Sequence, residues 1–271
     1  MAGLASDKMS FTMYFYGVRI CTPPCSQLQK AIYSNEFIPF YQPITNKRNE
    51  IIGCEVLARW RNPESGLLNA FSFIKSIESA GLIDELTYHL MKDVFRNVEL
   101  LNTHPEHDFL LSININLSMV MNPTFRTYLR QIHIQLQKMG VTPIFEITER
   151  EDIKNFPRAE DIFSQLINAG LRFMVDDFGT GYAGKKLFQV TRASFIKIDV
   201  RFFTDSFIEN TVSLAYRAGA KVIAEGVETQ EQISRIRRCG VHFIQGFLTG
   251  APMPFEIFNH KLGKQRITQS I

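Results

Sequence analysis

Short apolar runs alternate with amphipathic segments along most of the chain. The runs predict eight β-strands, and the segments between them, in which apolar residues recur at helical spacing, predict α-helices. The predicted strands cover Phe37–Gln42, Ile51–Arg59, Phe109–Asn116, Ile144–Thr148, Leu171–Asp176, Ser194–Asp199, Lys221–Ala224 and His242–Gly246. Because strands and helices alternate, the pattern predicts an α/β fold, and the count favours a closed (β/α)₈ barrel over an open sheet.

The predicted helices lie between these strands. They cover Cys25–Ser34, Ala70–Ala80, Ile83–Leu101, Thr124–Lys138, Ala159–Ala169, Thr211–Ala218 and Gln230–Cys239, with a short helix near Lys185–Phe188. Glycines such as Gly140 and Gly170 stand directly after a helical pattern, where a residue with left-handed backbone commonly ends a helix. We expect residues 1–25 to form an extension, residues 26–262 the barrel and residues 263–271 a C-terminal tail.

Polar residues end most of the predicted strands. Active sites of such barrels lie at the C-terminal ends of the strands, on side chains that share one face at every second position. The polar candidates at these ends are Glu55, Arg59, Ser112, Asn114, Asn116, Glu146, Thr148, Lys197, Asp199, Glu225 and Gln245. Packing alone does not explain so many acidic, amide and lysine residues at strand ends, so the pattern predicts an active site there.

Asp176 and Asp177 are the most informative pair of residues. They end an apolar run and lead into a glycine loop, Phe178-Gly179-Thr180-Gly181-Tyr182. Two adjacent carboxylates repel each other, and burying both is costly unless a cation neutralises them. The pair therefore indicates a site for a hard divalent cation, and the alternative is a solvated turn.

Composition restricts the classes of function. With 271 residues, 45% of them hydrophobic, 21% charged and a net charge of +3, the chain is typical of a folded protein and too weakly basic to indicate polymeric nucleic acid or membrane as a partner. Cys21, Cys25, Cys54 and Cys239 lack metal-site spacing, and scattered cysteines are typical of a reducing compartment. No apolar run reaches the roughly 18 residues of a membrane span. We expect a cytoplasmic protein.

Seven short motifs follow one another along the chain. They are Glu55-Val56-Leu57-Ala58-Arg59-Trp60, Asn116-Leu117-Ser118, Glu146-Ile147-Thr148-Glu149, Asp176-Asp177-Phe178-Gly179-Thr180-Gly181-Tyr182, Lys197-Ile198-Asp199, Ala224-Glu225-Gly226-Val227-Glu228-Thr229 and Gln245-Gly246-Phe247. In this order they resemble the EAL family of bacterial cyclic-di-GMP phosphodiesterases, over nearly the whole chain. The family's signature Glu-Ala-Leu is Glu55-Val56-Leu57 here, which we interpret as a change in packing.

The resemblance implies a fold, a reaction and a set of site residues. The fold is a TIM-like (β/α)₈ barrel with an atypical first strand, and the reaction is hydrolysis of cyclic-di-GMP to linear pGpG by a water that two metal ions activate. The implied metal ligands are Glu55, Asn116, Glu146, Asp176, Asp177 and Glu225. The implied catalytic residues are Lys197, Glu55, Asp176, Asp177 and Glu149, of which Glu149 steadies the loop after Asp176. The implied substrate-binding residues are Gln42, Arg59 and Gln245.

The implied cofactors are two Mg²⁺ or Mn²⁺ ions, which suit an all-oxygen ligand set. Ca²⁺ is expected to bind and inhibit, because it tolerates looser geometry. Lys197 would contact the nucleophilic water, and two neighbouring cations would lower its pKa. The resemblance also implies a homodimer, although the atypical segment Ala183-Gly184-Lys185-Lys186 follows a loop that contributes to dimer contacts in the family.

Simpler interpretations exist for single residues and for the whole chain. Lys197 could be a buried ion-pair partner of Asp199, Asn116 could satisfy backbone groups, and Trp60 is best read as core. Glu228 fits a solvated carboxylate at a helix start as well as a site role. For the chain, the alternatives are a catalytically silent regulator that binds cyclic-di-GMP or a protein, and a glycosidase barrel with two carboxylates.

Overall fold

The computed structural model describes residues 12–15, 18–21, 25–101, 109–148, 152–181 and 184–269. The chain divides into two compact units, Met1–Pro39 with Ala58–Val94, and Phe40–Leu57 with Phe95–Ile271. Within the described ranges, no helix combines the length and the apolar character needed to cross a membrane.

The strands are numbered in chain order. They are β1 (Thr12–Phe15), β2 (Val18–Cys21), β3 (Phe37–Asn46), β4 (Ile51–Asn62), β5 (Gly66–Asn69), β6 (Phe109–Ile115), β7 (Val141–Thr148), β8 (Arg172–Asp176), β9 (Phe195–Asp199), β10 (Lys221–Glu225) and β11 (Phe243–Ile244).

The α-helices are numbered in the same way. They are α1 (Cys25–Tyr33), α2 (Ile74–Ser79), α3 (Ile83–Glu99), α4 (Leu117–Met121), α5 (Pro123–Lys138), α6 (Ala159–Asn168), α7 (Gly184–Thr191), α8 (Asp205–Arg217), α9 (Gln230–Arg238) and α10 (Phe255–Gln269). Two short 3₁₀ turns cover Ala70–Ser72 and Ile153–Asn155.

The second unit contains a closed eight-stranded barrel. β4, β6, β7, β8, β9, β10 and β11 pair in parallel as neighbours in that order. β3 pairs with β11 in the antiparallel direction, and also pairs with β4, which closes the sheet. The predicted (β/α)₈ barrel and its atypical first strand are therefore confirmed.

The barrel interior is built in layers. A buried apolar layer contains Ile44, Leu110, Ile144, Met174, Phe195 and Ile223, with Ile52 and Phe243 packed against it. Side chains on a strand alternate between two faces, so the residues two positions further along share the face of this layer. On β6 to β10, and at the position directly after β11, those residues are Ser112, Glu146, Asp176, Lys197, Glu225 and Gln245. A polar layer thus lies directly on an apolar one, towards the C-terminal ends of the parallel strands.

The first unit has its own core. Leu28, Ala31, Ile32, Phe37, Trp60, Phe73, Ile77, Leu82 and Leu86 form one buried cluster. Phe37 and Trp60 stack with ring centroids 5.2 Å apart, and Nε1 of Trp60 donates a hydrogen bond to Glu36. Trp60 is 2% exposed, so its interpretation as core is confirmed.

Most predicted elements exist, with differences at their ends. The helix predicted from Thr211 begins at Asp205, because Thr204 caps it by accepting a hydrogen bond from the backbone of Phe207. The helix predicted over Ala70–Ala80 is a 3₁₀ turn followed by α2. The sequence patterns missed β1, β2, β5, α4 and α10. Because α10 continues to Gln269, it crosses the boundary predicted between barrel and tail, and the division into extension, barrel and tail stays a prediction.

The apolar layer should dominate the stability of the barrel. Ile144→Ala should lower the free energy of unfolding by about 2–5 kcal/mol, because it leaves a cavity in a site that is 2% exposed. Ile134→Ala is the matched control on α5, where the side chain is 52% exposed, and should change stability by less than about 0.5 kcal/mol. Denaturant unfolding followed by circular dichroism measures both, and equal effects would contradict the layered interior.

Candidate metal centre and active site

Lys197 lies at the centre of a cluster of carboxylates. Its Nζ is 2.9 Å from Oε2 of Glu55 and 2.5 Å from Oε1 of Glu146. The same nitrogen is 3.4 Å from Oε2 of Glu225 and 3.7 Å from Oδ1 of Asp176. These residues come from five different strands, so closure of the barrel is what brings them together. The alternative pairing of Lys197 with Asp199 is wrong, because Asp199 bonds to Arg201 instead.

Amide and hydroxyl side chains hold the two buried glutamates in place. Asn114 donates from Nδ2 to Oε1 of Glu55 at 2.9 Å, and Gln245 donates from Nε2 to Oε2 of Glu55 at 2.6 Å. Ser112 donates to Oε2 of Glu146 at 2.5 Å. Both glutamates are therefore oriented by donors besides Lys197, which satisfies lone pairs that would otherwise be buried at a cost.

Burial and mutual repulsion shift the ionisation of the cluster. Burial raises the pKa of Glu146 well above its ordinary value, and the neighbouring charge of Glu55 adds to this. Burial and the charges of Asp176, Glu55 and Asp177 raise the pKa of Glu225 to about 7, although Lys197 acts in the opposite direction. Burial opposes ionisation of Glu55 too, but the charge of Lys197 and three hydrogen-bond donors outweigh it and lower its pKa.

Lys197 itself is stabilised as an ammonium ion. Burial acts to lower its pKa, but the charges of Asp176, Glu146, Glu55 and Glu225 together raise it well above its ordinary value. The sequence predicted the opposite direction for a lysine beside two cations. Among the protein groups alone, the carboxylates decide the direction.

Two of the carboxylates near Lys197, those of Asp176 and Glu225, also form a group with Asp177. Asp176, Asp177 and Glu225 each place one oxygen within 4.8 Å of the others. Asp177 has φ +53°, a left-handed conformation that is uncommon for a residue with a side chain. Strain of this kind costs of order 1 kcal/mol and is typical of functional sites. The turn after β8 is thus held in a conformation that keeps both aspartates in one cluster.

A close approach between two loops positions Gln245. A Cβ at Gly246 would lie 2.1 Å from the carbonyl oxygen of Val227, so only glycine fits there without a shift. The amide of Val227 donates to the carbonyl of Gln245 at 3.3 Å. The contact fixes the backbone at Gln245, whose side chain also donates to Gln42 at 3.2 Å. The predicted substrate residues Gln42 and Gln245 are therefore neighbours.

The donor set fits divalent cations. Fully ionised, Glu55, Glu146, Asp176, Asp177, Glu225 and Lys197 together carry a net charge of −4. Within the described part of the chain, the buried Oδ1 of Asp176 and Oε1 of Gln245 have no hydrogen-bond partner. Carboxylate and amide oxygens with excess negative charge are the environment that Mg²⁺ and Mn²⁺ prefer. The site residues therefore match the chemistry of a metal centre.

The remaining predicted site residues lie in different places. Asn116 follows β6 directly and is the residue before α4, two positions beyond Asn114, and its role as a metal ligand stays a prediction. Arg59 belongs to the first unit, and its contact with substrate also stays a prediction. Glu149 lies outside the described residues. The sequence identifies Ser112 and Asn114 as polar strand residues but not as hydrogen-bond donors to Glu146 and Glu55. The signal that could have indicated this was their alternation with apolar residues at every second position, which puts them on the face of the site.

Comparisons with known proteins agree with this geometry. A sequence model of the EAL domain matches residues 26–252. The chain belongs to the EAL domain family. It is 34% identical to cyclic di-GMP phosphodiesterase PdeL of Escherichia coli (strain K12), over 87% of this chain and 67% of that protein. It is 31% identical to probable cyclic di-GMP phosphodiesterase PdeG of the same organism, over 84% of this chain and 47% of that protein.

Solved EAL structures show the same fold. The PaMucR phosphodiesterase in complex with c-di-GMP has a TM-score of 0.75 at 27% identity, covering 86% of this chain and 98% of that one. The EAL enzyme Bd1971 with cAMP and cyclic-di-GMP bound has a TM-score of 0.77 at 27% identity, covering 88% and 68%. Several curated relatives extend beyond the matched region, so the EAL domain here spans about half of their length.

Removing the positive charge of Lys197 should destabilise the domain. Lys197→Met should lower the free energy of unfolding by about 3–5 kcal/mol in the presence of a chelator, because buried carboxylates lose their compensating charge. Added Mn²⁺ should reduce this difference, since a divalent cation neutralises the same carboxylates. Lys92→Met changes an exposed lysine and serves as the control. Thermal unfolding with and without Mn²⁺ measures the effect, and equal stability of Lys197→Met and wild type in chelator would contradict the charge assignment.

Proposed function

We propose that this EAL domain is a metal-dependent phosphodiesterase that hydrolyses cyclic-di-GMP to linear pGpG. The observation that carries the proposal is a cluster of five carboxylates at the C-terminal ends of the barrel strands. Four of them, from Glu55, Glu146, Asp176 and Glu225, lie within 3.7 Å of Nζ of Lys197, and the fifth, from Asp177, groups with Asp176 and Glu225. Family membership adds support, because relatives over most of this chain are named cyclic di-GMP phosphodiesterases. A glycosidase would require only two carboxylates and would leave the lysine and amide contacts without a role.

Two Mg²⁺ or Mn²⁺ ions would be held by the acidic and amide residues of the site. Glu55, Asn116, Glu146 and Asp176 would hold one ion, and Asp176 with Asp177 and Glu225 the second. When bound, such ions neutralise an anionic phosphodiester and activate a water for attack on phosphorus. The grouping of Asp176, Asp177 and Glu225 within 4.8 Å supports a shared role for Asp176.

The protein side chains would orient the reacting groups. Lys197 donates hydrogen bonds to Glu55 and Glu146, so its ammonium group is fixed rather than mobile, and it would direct its remaining N–H towards the attacking water. Gln245 and Asn114 hold Glu55 in one orientation. Preorganised donors of this kind lose little free energy to reorganisation during the reaction.

Substrate binding would use residues near the same end of the barrel. Gln42 accepts a hydrogen bond from Gln245, which also donates to Glu55, and Gln42 donates to the carbonyl of Gly250 at 3.3 Å. These contacts support a position for Gln42 near the proposed metal ligands. Arg59 would grip a phosphate oxygen, and Glu149 would steady the loop after Asp176. A homodimer of the family's kind is also part of the proposal.

Loss of either central ligand should abolish turnover. Glu55→Ala and Asp176→Ala should each reduce the rate of pGpG release by more than about 100-fold, because even residues that only support metal ligands cost 10–100-fold. The exposed Glu209 on α8 provides the control variant Glu209→Ala, which should keep wild-type activity. The assay follows cyclic-di-GMP and pGpG by chromatography with Mn²⁺ present. Undiminished turnover in Glu55→Ala or Asp176→Ala would contradict the proposal. Binding of cyclic-di-GMP without turnover by the wild-type protein would favour a catalytically silent regulator.

Metal removal gives an independent test. A chelator should eliminate activity, Mg²⁺ or Mn²⁺ should restore it, and Ca²⁺ should inhibit while still raising the unfolding temperature, because ligands that bind the folded state stabilise it. The Asp176→Ala variant should show a smaller rise in unfolding temperature with Mn²⁺ than wild type. Activity that persists after complete chelation would argue for metal-independent chemistry.

A further inference from the structure

The end of the barrel opposite the acidic cluster carries an arc of exposed cations. The parallel strands begin at this end, and the turn from β3 to β4 lies here too, because Asn46 is the register partner of Phe243, the first residue of β11. The turn and the segments that lead into β7, β8, β9, β10 and β11 carry nine exposed lysines and arginines, which we call the basic arc: Lys47, Arg48, Lys138, Arg172, Arg192, Arg217, Lys221, Arg237 and Arg238.

The same segments hold almost no negative charge. Across residues 47–50, 138–141, 169–172, 192–194, 217–221 and 237–242, Glu50 is the only carboxylate, and it lies 4.0 Å from Nη1 of Arg48. In the described part of the chain, no carboxylate lies within 4.0 Å of the other eight cations. The segment before β6 is outside the arc, and its residues 102–108 lie outside the described ranges. The basic arc is therefore almost without counter-charges in the protein.

Hydrogen bonds join the segments of the arc to one another. The amide of Ser194 donates to the carbonyl of Phe173 at 2.9 Å, and the amide of Lys221 donates to the carbonyl of Ser194 at 3.0 Å. Further along the barrel, Nη2 of Arg237 donates to the carbonyl of Lys47 at 2.8 Å. Successive segments are thus direct neighbours, and their cations are arranged around the barrel axis instead of being scattered over the surface.

Two histidines beside the arc respond to its positive charge. Burial lowers the pKa of His242, and the charges of Lys47 and Lys221 lower it further. Burial also lowers the pKa of His133, and the charge of Arg172 adds to this. Cations from separate segments therefore act together on groups at this end of the barrel.

Helix dipoles account for only part of the arc. Five of its cations lie in the last turn of α5, α8 or α9 or directly after α7, where a positive charge is favourable: Lys138, Arg192, Arg217, Arg237 and Arg238. The other four lie in a turn or at the first residue of a strand, where this reason does not apply: Lys47, Arg48, Arg172 and Lys221. The scarcity of carboxylates is not explained by helix dipoles either.

A planar anionic partner fits this arrangement. Cations placed around one end of a barrel can all approach a plane perpendicular to the barrel axis, whereas a nucleic acid follows a groove or a line. Tyr216, adjacent to Arg217, is 80% exposed, and tyrosine is typical of the boundary between water and lipid. Single-stranded nucleic acid would require several aromatic side chains for stacking, and among the described residues of these segments Tyr216 alone is an aromatic that is more than half exposed.

We propose that the basic arc docks the domain on a surface of anionic phospholipids, with the acidic cluster facing away from the lipid. Each lysine or arginine near such a surface strengthens binding by about fivefold. The net charge of +3, from which no membrane partner is expected, does not show this arrangement, because acids and bases are concentrated at opposite ends of the barrel. Docking through surface charge requires no helix that spans the membrane.

Co-sedimentation with vesicles tests the inference on the full chain. Wild type should bind vesicles of phosphatidylcholine that contain about 30% phosphatidylserine, and should not bind vesicles of phosphatidylcholine alone. Binding should weaken steeply when the ionic strength rises from about 0.1 M to about 1 M, because salt screens exposed charges.

Matched variants separate the arc from the overall charge. The arc variant, with Lys47→Gln, Arg172→Gln and Lys221→Gln, should bind the anionic vesicles about 100-fold more weakly, and Lys47→Gln alone about fivefold more weakly. The control variant, with Lys30→Gln, Lys75→Gln and Lys92→Gln, removes the same charge from exposed lysines of the first unit and should bind like wild type. Thermal unfolding checks that all variants are folded.

Three outcomes would overturn the inference. They are a wild-type protein that does not bind the anionic vesicles, equal weakening in the arc and control variants, and binding to a DNA duplex or to single-stranded RNA that is tighter than binding to the vesicles. Loss of vesicle binding in the arc variant alone, at an unchanged unfolding temperature, would support it. None of these measurements depends on cyclic-di-GMP, so failure of the inference leaves the proposed function untouched.

Discussion

The buried ammonium group of Lys197 is the interaction on which the rest of the site depends. Glu55 and Glu146 are almost fully buried, and the layer beneath them is apolar. Carboxylates in such surroundings would lose their ionised form or destabilise the fold without a nearby positive charge. Lys197 lets glutamates from β4 and β7 lie within hydrogen-bonding distance of one side chain. The geometry of the acidic cluster is therefore set from inside the barrel.

The loops above this cluster are shaped by close backbone contacts. Asp177 adopts a left-handed conformation, and Gly246 allows the backbone after β11 to touch Val227. These features are local exceptions to the regular strand pattern, and they occur where side chains are directed at the site. Local strain concentrated at a site while the strands below remain regular is typical of enzymes that preorganise their binding groups.

The sequence was sufficient for the strands that bring the site together. The β-run from Phe109 alternates polar and apolar residues, which identified its two faces, and the pair Asp176-Asp177 predicted a cation site, where the structure shows an acidic cluster. Periodicity does not specify which side chains meet across the barrel. The contact of Asn114 with Glu55 joins residues 59 positions apart, and it depends on the register between the neighbouring strands β4 and β6, which the pattern of neither strand alone determines. Likewise Lys197 contacts several acids because it is inside a barrel, whereas spacing along the chain also allowed a pairing with Asp199.

Elements without a strong pattern escaped prediction for physical reasons. Helix α4 has only five residues, too few for a helical repeat to be recognised. Helix α10 lacks an apolar stripe of clear period, although Phe255, Phe258 and Leu262 are buried. Tertiary packing outweighs local preference in such segments.

The two kinds of group at this end of the barrel have different structural origins. The central acids and Lys197 belong to strand interiors or their last residues, whereas Arg201 and Glu228 belong to the connections that follow β9 and β10. Connections tolerate exchange far better than barrel strands do. Evolution or engineering could therefore alter the groups at this end of the barrel by replacing two short segments, while the acidic cluster and Lys197 are inherited unchanged with the β-sheet.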